Sequence, residues 1–452
     1  MVVNDQQTIV WTAHQLADKQ MRIAVIGTGI SGLLTARLMA SKHTVQVYEA
    51  NSYVGGHARM EQVEIAGRQC AVDTGFMVFN ESTYPHFCQL LRLLNVPIQN
   101  TDMSFSVRCA RSGLEYQGSS LNGLFAQRSN LLSPRFYGML RDIVRFNRQA
   151  EEILAQPSTI SLGAYLEQRK YGVPFIKHYL LPMSAAIWSC PPHRILDFPL
   201  LFLVRFLNNH GLLQLRNRPQ WKTIVGGSQE YIRPLTQPLQ HQIRLNCPVV
   251  SVRRTSENVL VQSNDGREET FDYVIMALHA DQALAVLRDS DTLESEILTS
   301  FPYHENEAIL HTDHTVLPRR KRSWASWNYH LGRDTNQPVS VTYDLGRLQN
   351  LELAKRLLLT LNPTEAIRPD CVLKQIKFQH PAYDRTSIAA QQRSLECRGT
   401  RRTFFCGAYW GNGFHEDGVN SALSIAEFFG ITMNACTISS TKDASNIADT
   451  TR

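Results

Sequence analysis

Residues 21–49 read MRIAVIGTGISGLLTARLMASKHTVQVYE, and this stretch decides the fold. Ile23-Ala24-Val25-Ile26 is a short apolar run of the kind that forms a strand buried on both faces of a parallel sheet. It stops at Gly27-Thr28-Gly29-Ile30-Ser31-Gly32, after which Leu33, Leu34, Ala36, Leu38 and Met39 give a helical pattern to about Ser41. His43 to Tyr48 then alternates Val45 and Val47 with polar neighbours and ends at Glu49, a second strand. Strand, glycine turn, helix and strand make one βαβ unit. In it Gly27 permits the tight turn, Gly29 lets backbone approach a pyrophosphate, Gly32 lets helix pack on strand, and the helix N-terminus offers free N–H groups. Glu49, seventeen positions after Gly32, stands where a carboxylate accepts hydrogen bonds from a ribose. The unit predicts a dinucleotide site, for which NAD and FAD are equally suited.

Working outward, the 452 residues predict two or three domains. With 43 % hydrophobic and 19 % charged residues the composition is that of a folded globular chain, and a formal charge of +6 is too small to imply a nucleic-acid partner. Nine cysteines without a CxxC pair exclude a disulfide framework and a structural metal. No run of eighteen apolar residues occurs and the first twenty residues contain no apolar leader segment, which predicts a reduced, cytoplasmic, non-spanning protein. The greasiest stretch, Ile195 to Leu207, contains Asp197 and Arg205 and reads as a buried helix. There is no internal repeat. Gln62 to Val72 predicts a hairpin turning at Ala66-Gly67, a β-rich region runs from Ile243 to the Asn264-Asp265-Gly266 turn, and Tyr273 to Leu278 reads as a central strand. Thr403 to Cys406 and a helical pattern over Val419–Phe429 return the chain to the nucleotide domain. The fold class is α/β plus α+β, a discontinuous Rossmann-like domain (21–85, 216–285 and 396–435) with an inserted substrate domain (86–215 and 286–395). An N-terminal extension (1–20) and a flexible Ser/Thr-rich tail (436–452) flank them.

A second string, Gly55-Gly56-His57-Ala58-Arg59, lies six residues beyond Glu49, and Asp73-Thr74-Gly75-Phe76 closes the hairpin. This layout resembles the two-part signature of the flavoprotein amine oxidase superfamily, which includes phytoene desaturases and protoporphyrinogen oxidases. The resemblance implies non-covalent FAD, bound through Gly27, Gly29, Ser31, Gly32, Glu49, Gly55, Gly56, His57, Gly75 and Phe76. The superfamily usually has Arg where this chain has His57. It also matches Asn246-Cys247-Pro248-Val249-Val250 to a strand whose backbone meets the adenine, with Val249 at the contact. Cys406-Gly407-Ala408-Tyr409-Trp410 and Glu416-Asp417-Gly418-Val419 resemble the closing motif, in which Gly418 opens a helix toward the flavin, and Gly407, Asp417 and Val419 join the cofactor set. Cys406 reads as a buried free thiol.

Within the superfamily the strings Leu181 to Ser189, Ile309 to Asp313, Trp324 to Tyr329 and Gly411 to Gly418 are similar to a bacterial group described only as predicted NAD/FAD-binding flavoproteins. Its genes often lie beside cyclopropane-fatty-acid synthase-like genes, which points to an acyl-lipid substrate. Where amine oxidases carry a lysine that holds water against the flavin, the stretch Glu307 to Thr312 offers His311. The resulting expectation is an FAD-dependent oxidoreductase that dehydrogenates a lipid acyl or isoprenoid-like chain by hydride transfer to flavin N5. Amine oxidation, a redox-neutral isomerase and a non-catalytic flavin-binding protein are the alternatives. His415, Glu416 and His311 are the candidate acid–base residues, and Trp327, Tyr329, Tyr409 and Trp410 the candidate substrate-lining aromatics. The basic run Arg319-Arg320-Lys321-Arg322 reads as a solvated loop, with contact to anionic lipid at the inner membrane as the alternative.

Overall fold

The structure is a computed structural model that describes residues 19–155, 159–188, 191–214, 218–332 and 340–437. Cys190, most of the N-terminal extension and most of the tail lie outside the described residues.

The chain folds around a five-stranded, all-parallel sheet in the order Ile243–Arg244, Thr44–Tyr48, Arg22–Ile26, Tyr273–Met276, Thr403–Phe405. The first strand lies at its centre, with Ile23 opposite both Val45 and Tyr273. Alternate residues serve two cores: Ile23 and Val25 pack with Val47, Ile275 and Phe404, whereas Ala24 and Ile26 pack with Val274, Met276 and Phe405. Burial on both faces is the reason the strand is an unbroken apolar run rather than an alternating one. Helices Ile30–Met39, Gln229–Thr236 and His415–Phe428 cover the first face. A three-stranded antiparallel sheet (Val249–Arg254, Val259–Ser263, Glu268–Phe271) and the helices Ala280–Val286 and Thr292–Thr299 cover the second.

A seven-stranded mixed sheet forms the other half, in the order Val372–Pro381, Tyr303–His311, Leu358–Leu361, Ser340–Asp344, Trp327–Leu331, Phe105–Cys109, Glu115–Gln117. Helices Pro134–Ala155 and Leu200–Asn209 bury their apolar faces in its core. The greasy stretch is a buried helix only from Leu200 on, within Leu200–Asn209, its first residues closing the short helix Pro192–Ile195 and forming the turn after it, and among the described residues no helix is long and apolar enough to cross a membrane. Two elements pack with the half to which the sequence did not assign them. Helix Pro85–Leu93 buries Phe87, Leu90 and Leu91 in the core of the parallel sheet. The hairpin Met60–Ile65/Arg68–Asp73 places Val63, Ile65 and Val72 in the core of the seven-stranded half.

The flank of the parallel sheet is fixed by one buried cation. Arg254, with no exposed side-chain surface, holds both carboxylate oxygens of Glu294 and reaches Asp289 at 3.2 Å. Removing Glu294 leaves the buried guanidinium with only the partly exposed Asp289 for a carboxylate, so Glu294→Ala should destabilise the protein by about 3 kcal/mol, the low end for a broken buried pair. A lower thermal midpoint by calorimetry, largely recovered when Arg254→Met is added, is the expected result.

Candidate active site

The glycine turn is built by close approach. Gly27 has φ +102°, and a Cβ there would stand 2.2 Å from the Ala277 carbonyl oxygen; on Gly32 it would stand 2.1 Å from the oxygen of Gly27. Gly29 is the opposite case, with nothing within 4 Å of the position of a Cβ. It precedes helix Ile30–Met39, which has no side-chain cap and no acidic residue in its first turn, so its leading N–H groups are free for an anion. Glu49, buried at the end of the second strand, accepts the N–H of Thr28 at 3.0 Å and the Thr28 hydroxyl, and both the backbone N–H (2.8 Å) and side-chain amide (2.7 Å) of Asn51. The carboxylate thus ties the turn to the strand end, and a ribose hydroxyl would compete with the two side-chain donors. Asn246 and Cys247 donate to the carbonyls of Asn51 and Glu49, which brings the strand beginning at Val249 to the same end of the sheet.

The second glycine string packs on the first. Gly55 donates to Thr28 O at 2.9 Å, and a Cβ on Gly56 would lie 3.0 Å from the Cα of Gly29. His57 follows, and its carbonyl accepts the N–H of Phe76, beside Gly75, at 3.2 Å. The imidazole of His57 is accessible yet walled by protein: its Nε2 lies 3.1 Å from Gln379 O, and its ring centroid lies within 5.7 Å of those of His279, Phe378 and His380. Burial pushes all three histidines down, His57 against the pull of its Gln379 contact, His279 to about 4 and His380 to about 3, the last two also through repulsion from His57, so the cluster is neutral.

A second helix N-terminus meets this place from the end of the chain. It opens at His415, three residues before the expected Gly418, with Asp417 accepting the N–H of Phe414 at 2.9 Å. Burial raises the Asp417 carboxyl to about 6. Gly418 sits inside the first turn, where a Cβ would approach Ile30 Cγ2 to 2.9 Å, so the two helix starts touch. Nearby, Gly407 donates to the Ser421 hydroxyl at 3.0 Å. His415 stacks on Phe76 with ring centroids 3.8 Å apart, meets Phe87 edge-on and lies 2.8 Å from the Tyr231 hydroxyl. Burial pushes His415 down to about 3.

The profile of the family described as flavin containing amine oxidoreductase matches residues 30–337. The chain belongs to this family. A search of curated proteins finds no match. Among solved structures, this flavin amine oxidoreductase is similar to a putrescine oxidase at 15 % identity and TM-score 0.65, over 91 % of this chain and 99 % of that one. A chain from Exiguobacterium sp. 255-15 that carries the description "putative protoporphyrinogen oxidase" gives 16 % and 0.64, over 90 % and 98 %. A CLA-producing fatty acid isomerase from P. acnes gives 14 % and 0.60, over 90 % and 99 %. The family is flavin-containing and FAD is its cofactor. The residues fit that group: an uncapped helix start behind an open glycine, a carboxylate at the end of the second strand, and a second helix start against the first. The Cys406 thiol is fully buried, 3.5 Å from the Thr35 and Ser421 hydroxyls, and its pKa is raised by burial, in keeping with a non-covalent cofactor.

The structure gathers Gly27, Gly29, Ser31, Gly32, Glu49, Gly55, Gly56, His57, Gly75, Phe76, Gly407, Asp417 and Gly418 of the flavin amine oxidoreductase in one region, and corrects several other expectations. Glu416 is buried and accepts the N–H groups of His86 (3.0 Å) and Phe87 (2.9 Å), so it caps helix Pro85–Leu93 and is not an acid–base group. His311 is wholly buried; Nδ1 accepts the N–H of Asp313 and Nε2 lies 2.7 Å from Thr360 Oγ1, which uses both ring nitrogens. Val419 is in the core. Tyr329 packs on Phe105 beneath the seven-stranded sheet and Trp327 stands edge-on to Tyr343 there. Tyr409 and Trp410 pack on Phe301 in the second core of the nucleotide half. The reading missed Tyr231 and a chain of aromatic contacts that ends on the 411–415 loop. There Phe414 stacks on Phe206 (5.1 Å), which meets Trp188 (4.6 Å); Trp188 meets Phe202 (5.9 Å), and Phe202 meets Tyr383 (6.0 Å). Tyr383 lies against Gly413, whose added Cβ would be 2.8 Å from its hydroxyl. Trp188 and Phe414 belonged to strings singled out in the sequence and Phe202 and Phe206 to the greasy stretch, but nothing there joined them to one another or to Tyr383.

Two outcomes follow. Gly29→Glu puts a carboxylate into free space at the helix start, so the variant should fold with the thermal midpoint of the flavin-stripped parent and purify without FAD; full flavin occupancy would refute the assignment. His279, His311, His380 and His415 have folded pKa values of about 3 to 4 against 6.5, so their stabilisation is present above 6.5 and is lost as pH falls toward 4. Asp73 and Asp417, raised from 3.8 to about 6, act in the opposite sense between those values but are fewer. The thermal midpoint should therefore fall as pH is lowered from about 7 to about 5.

Proposed function

We propose that this FAD-dependent oxidoreductase removes two hydrogens from an apolar chain, a lipid acyl or isoprenoid-like substrate. The observation that carries the reading is the run of aromatic contacts from Phe414 through Phe206, Trp188 and Phe202 to Tyr383, which lies against Gly413. Its polar atoms are neutral, and two of them, the Trp188 Nε1 and the Tyr383 hydroxyl, are buried without a partner. Such a wall binds through dispersion and water exclusion, offers no countercharge to a cation, and leaves two hydrogen-bonding groups to orient a ligand. FAD, when bound, supplies the oxidising power. On the protein side, His415 is held neutral by burial and fixed between Phe76 and Tyr231, which makes it a rigid, uncharged surface beside the aromatic run. The strand Tyr303–His311 ends in a histidine consumed by internal hydrogen bonds and carries no lysine, which speaks against the amine-oxidase chemistry. The fold also occurs in a fatty acid isomerase, so its frame is compatible with an acyl chain.

The test is anaerobic addition of fatty acids, polyprenoids and a bacterial lipid extract to the flavin-loaded protein. Bleaching of the visible flavin band with a product lacking two hydrogens is expected, and Phe206→Ser should raise KM about tenfold or more without loss of flavin. Hydrogen peroxide production from simple amines in air, or turnover only by pre-reduced protein to an isomer, would replace this reading.

A further inference from the structure

Two stretches that the flavin site does not use carry cations without carboxylates. Residues 116–141 include Arg128, Arg135 and Arg141 but neither Asp nor Glu, and the same holds for residues 314–332, which include Arg319, Arg320, Lys321 and Arg322. In a chain with 46 basic and 40 acidic residues, this is a local excess. The fold joins the two stretches through Glu115, which is 3 % exposed. Its carboxylate accepts the backbone N–H groups of Arg319 (3.0 Å) and Arg320 (3.2 Å) and the Arg320 guanidinium (2.9 Å). Its own N–H donates to Gln127 at 2.8 Å, and its carbonyl accepts from Asn130. The short helix Leu121–Leu124 packs against the turn Lys321–Ser323, so the basic run and the 121–132 segment are neighbours.

Apolar side chains project from the same surface. Of the eleven large hydrophobic residues exposed among the described residues, four fall within 121–137: Leu121, Leu131, Leu132 and Tyr137. Leu132 is 89 % and Leu121 77 % exposed, values at which neither contributes to a core. All four members of the basic run are exposed as well, and Arg319 and Arg320 also line a recess of about 630 Å³ in which Glu115 holds Arg320 and Glu365 holds Arg108, leaving Arg319, Lys321 and Arg322 as the cations of the run without a carboxylate partner among the described residues.

We infer that this surface docks the protein on an anionic bilayer, the leucines entering the interfacial layer and the arginines and lysine meeting lipid phosphates. Protruding leucines on a segment that neighbours a run of cations are what an interfacial membrane contact requires. A nucleic acid would satisfy the cations and leave the leucines in water, and an exposed patch of this kind is otherwise a cost to a monomer. The inference is independent of the substrate reading, because binding to vesicles is measured without turnover.

The experiment is co-sedimentation of the full-length, FAD-loaded protein with vesicles of mixed phosphatidylglycerol and phosphatidylcholine, and with phosphatidylcholine alone. Binding is expected to the anionic vesicles only and should weaken as salt is raised. Leu132→Asp, at a side chain almost free of protein contacts, should lower partitioning about tenfold, and Arg319→Glu with Lys321→Glu should lower it at least as much. The flavin spectrum and thermal midpoint should be unchanged in both. Failure of the unmodified protein to sediment at low salt would overturn the inference. So would variants that bind like the parent, or capture by nucleic acid or an acidic polypeptide in place of vesicles.

Discussion

The structure depends on backbone meeting backbone at one point. Gly56 rests on Gly29, and Gly418 rests on the first turn of helix Ile30–Met39, each within reach of a single methyl group. A Cβ at either place would push apart two elements more than twenty residues distant in sequence, and dispersion contacts of this kind vanish with small gaps. Because both contacts converge on the same helix start, the first glycine turn, the second glycine string and the closing helix form one unit. The hairpin and the loops that carry His57 and Phe76 take their positions from that unit.

Around it, charge is arranged by exclusion. Imidazoles at 57, 279, 380 and 415 are kept neutral by burial, and the carboxyls of Asp73 and Asp417 are raised toward neutrality. Positive potential for a diphosphate comes instead from oriented N–H groups at a helix start, whose partial charge does not titrate. A wall of aromatic rings next to such a region adds polarisability without adding ions. The combination suits chemistry at carbon, where a fixed charge would favour water over an apolar substrate.

The parallel sheet was legible because its central strand is buried on both faces, which leaves an unambiguous apolar run before the glycine turn. Side-chain roles were less so. Glu416 and His311 are of residue types suited to proton transfer, yet Phe87, which Glu416 caps, lies 329 positions away, and Thr360, which takes the second ring nitrogen of His311 after Asp313 has taken the first, lies 49 away, so the sequence beside either residue does not show that it is fully engaged. Helix Pro85–Leu93 has an apolar stripe that fits either core, so a boundary drawn from the sequence could not assign it. The aromatic chain draws Trp188, Phe206, Tyr383 and Phe414 from three distant segments, each of which alone reads as ordinary core packing.

The parallel sheet draws strands from residues 22–48, 243–244, 273–276 and 403–405, with its closing helix at His415–Phe428. During synthesis the two helix starts cannot meet until that helix has left the ribosome, by which time the seven-stranded half is already complete in the nascent chain. The cofactor cradle is therefore the last part of the molecule to form, and it is paid for in long-range contacts that slow folding. The intact cradle thus exists only in the finished chain, and FAD, which binds that form alone, draws the equilibrium toward it by mass action.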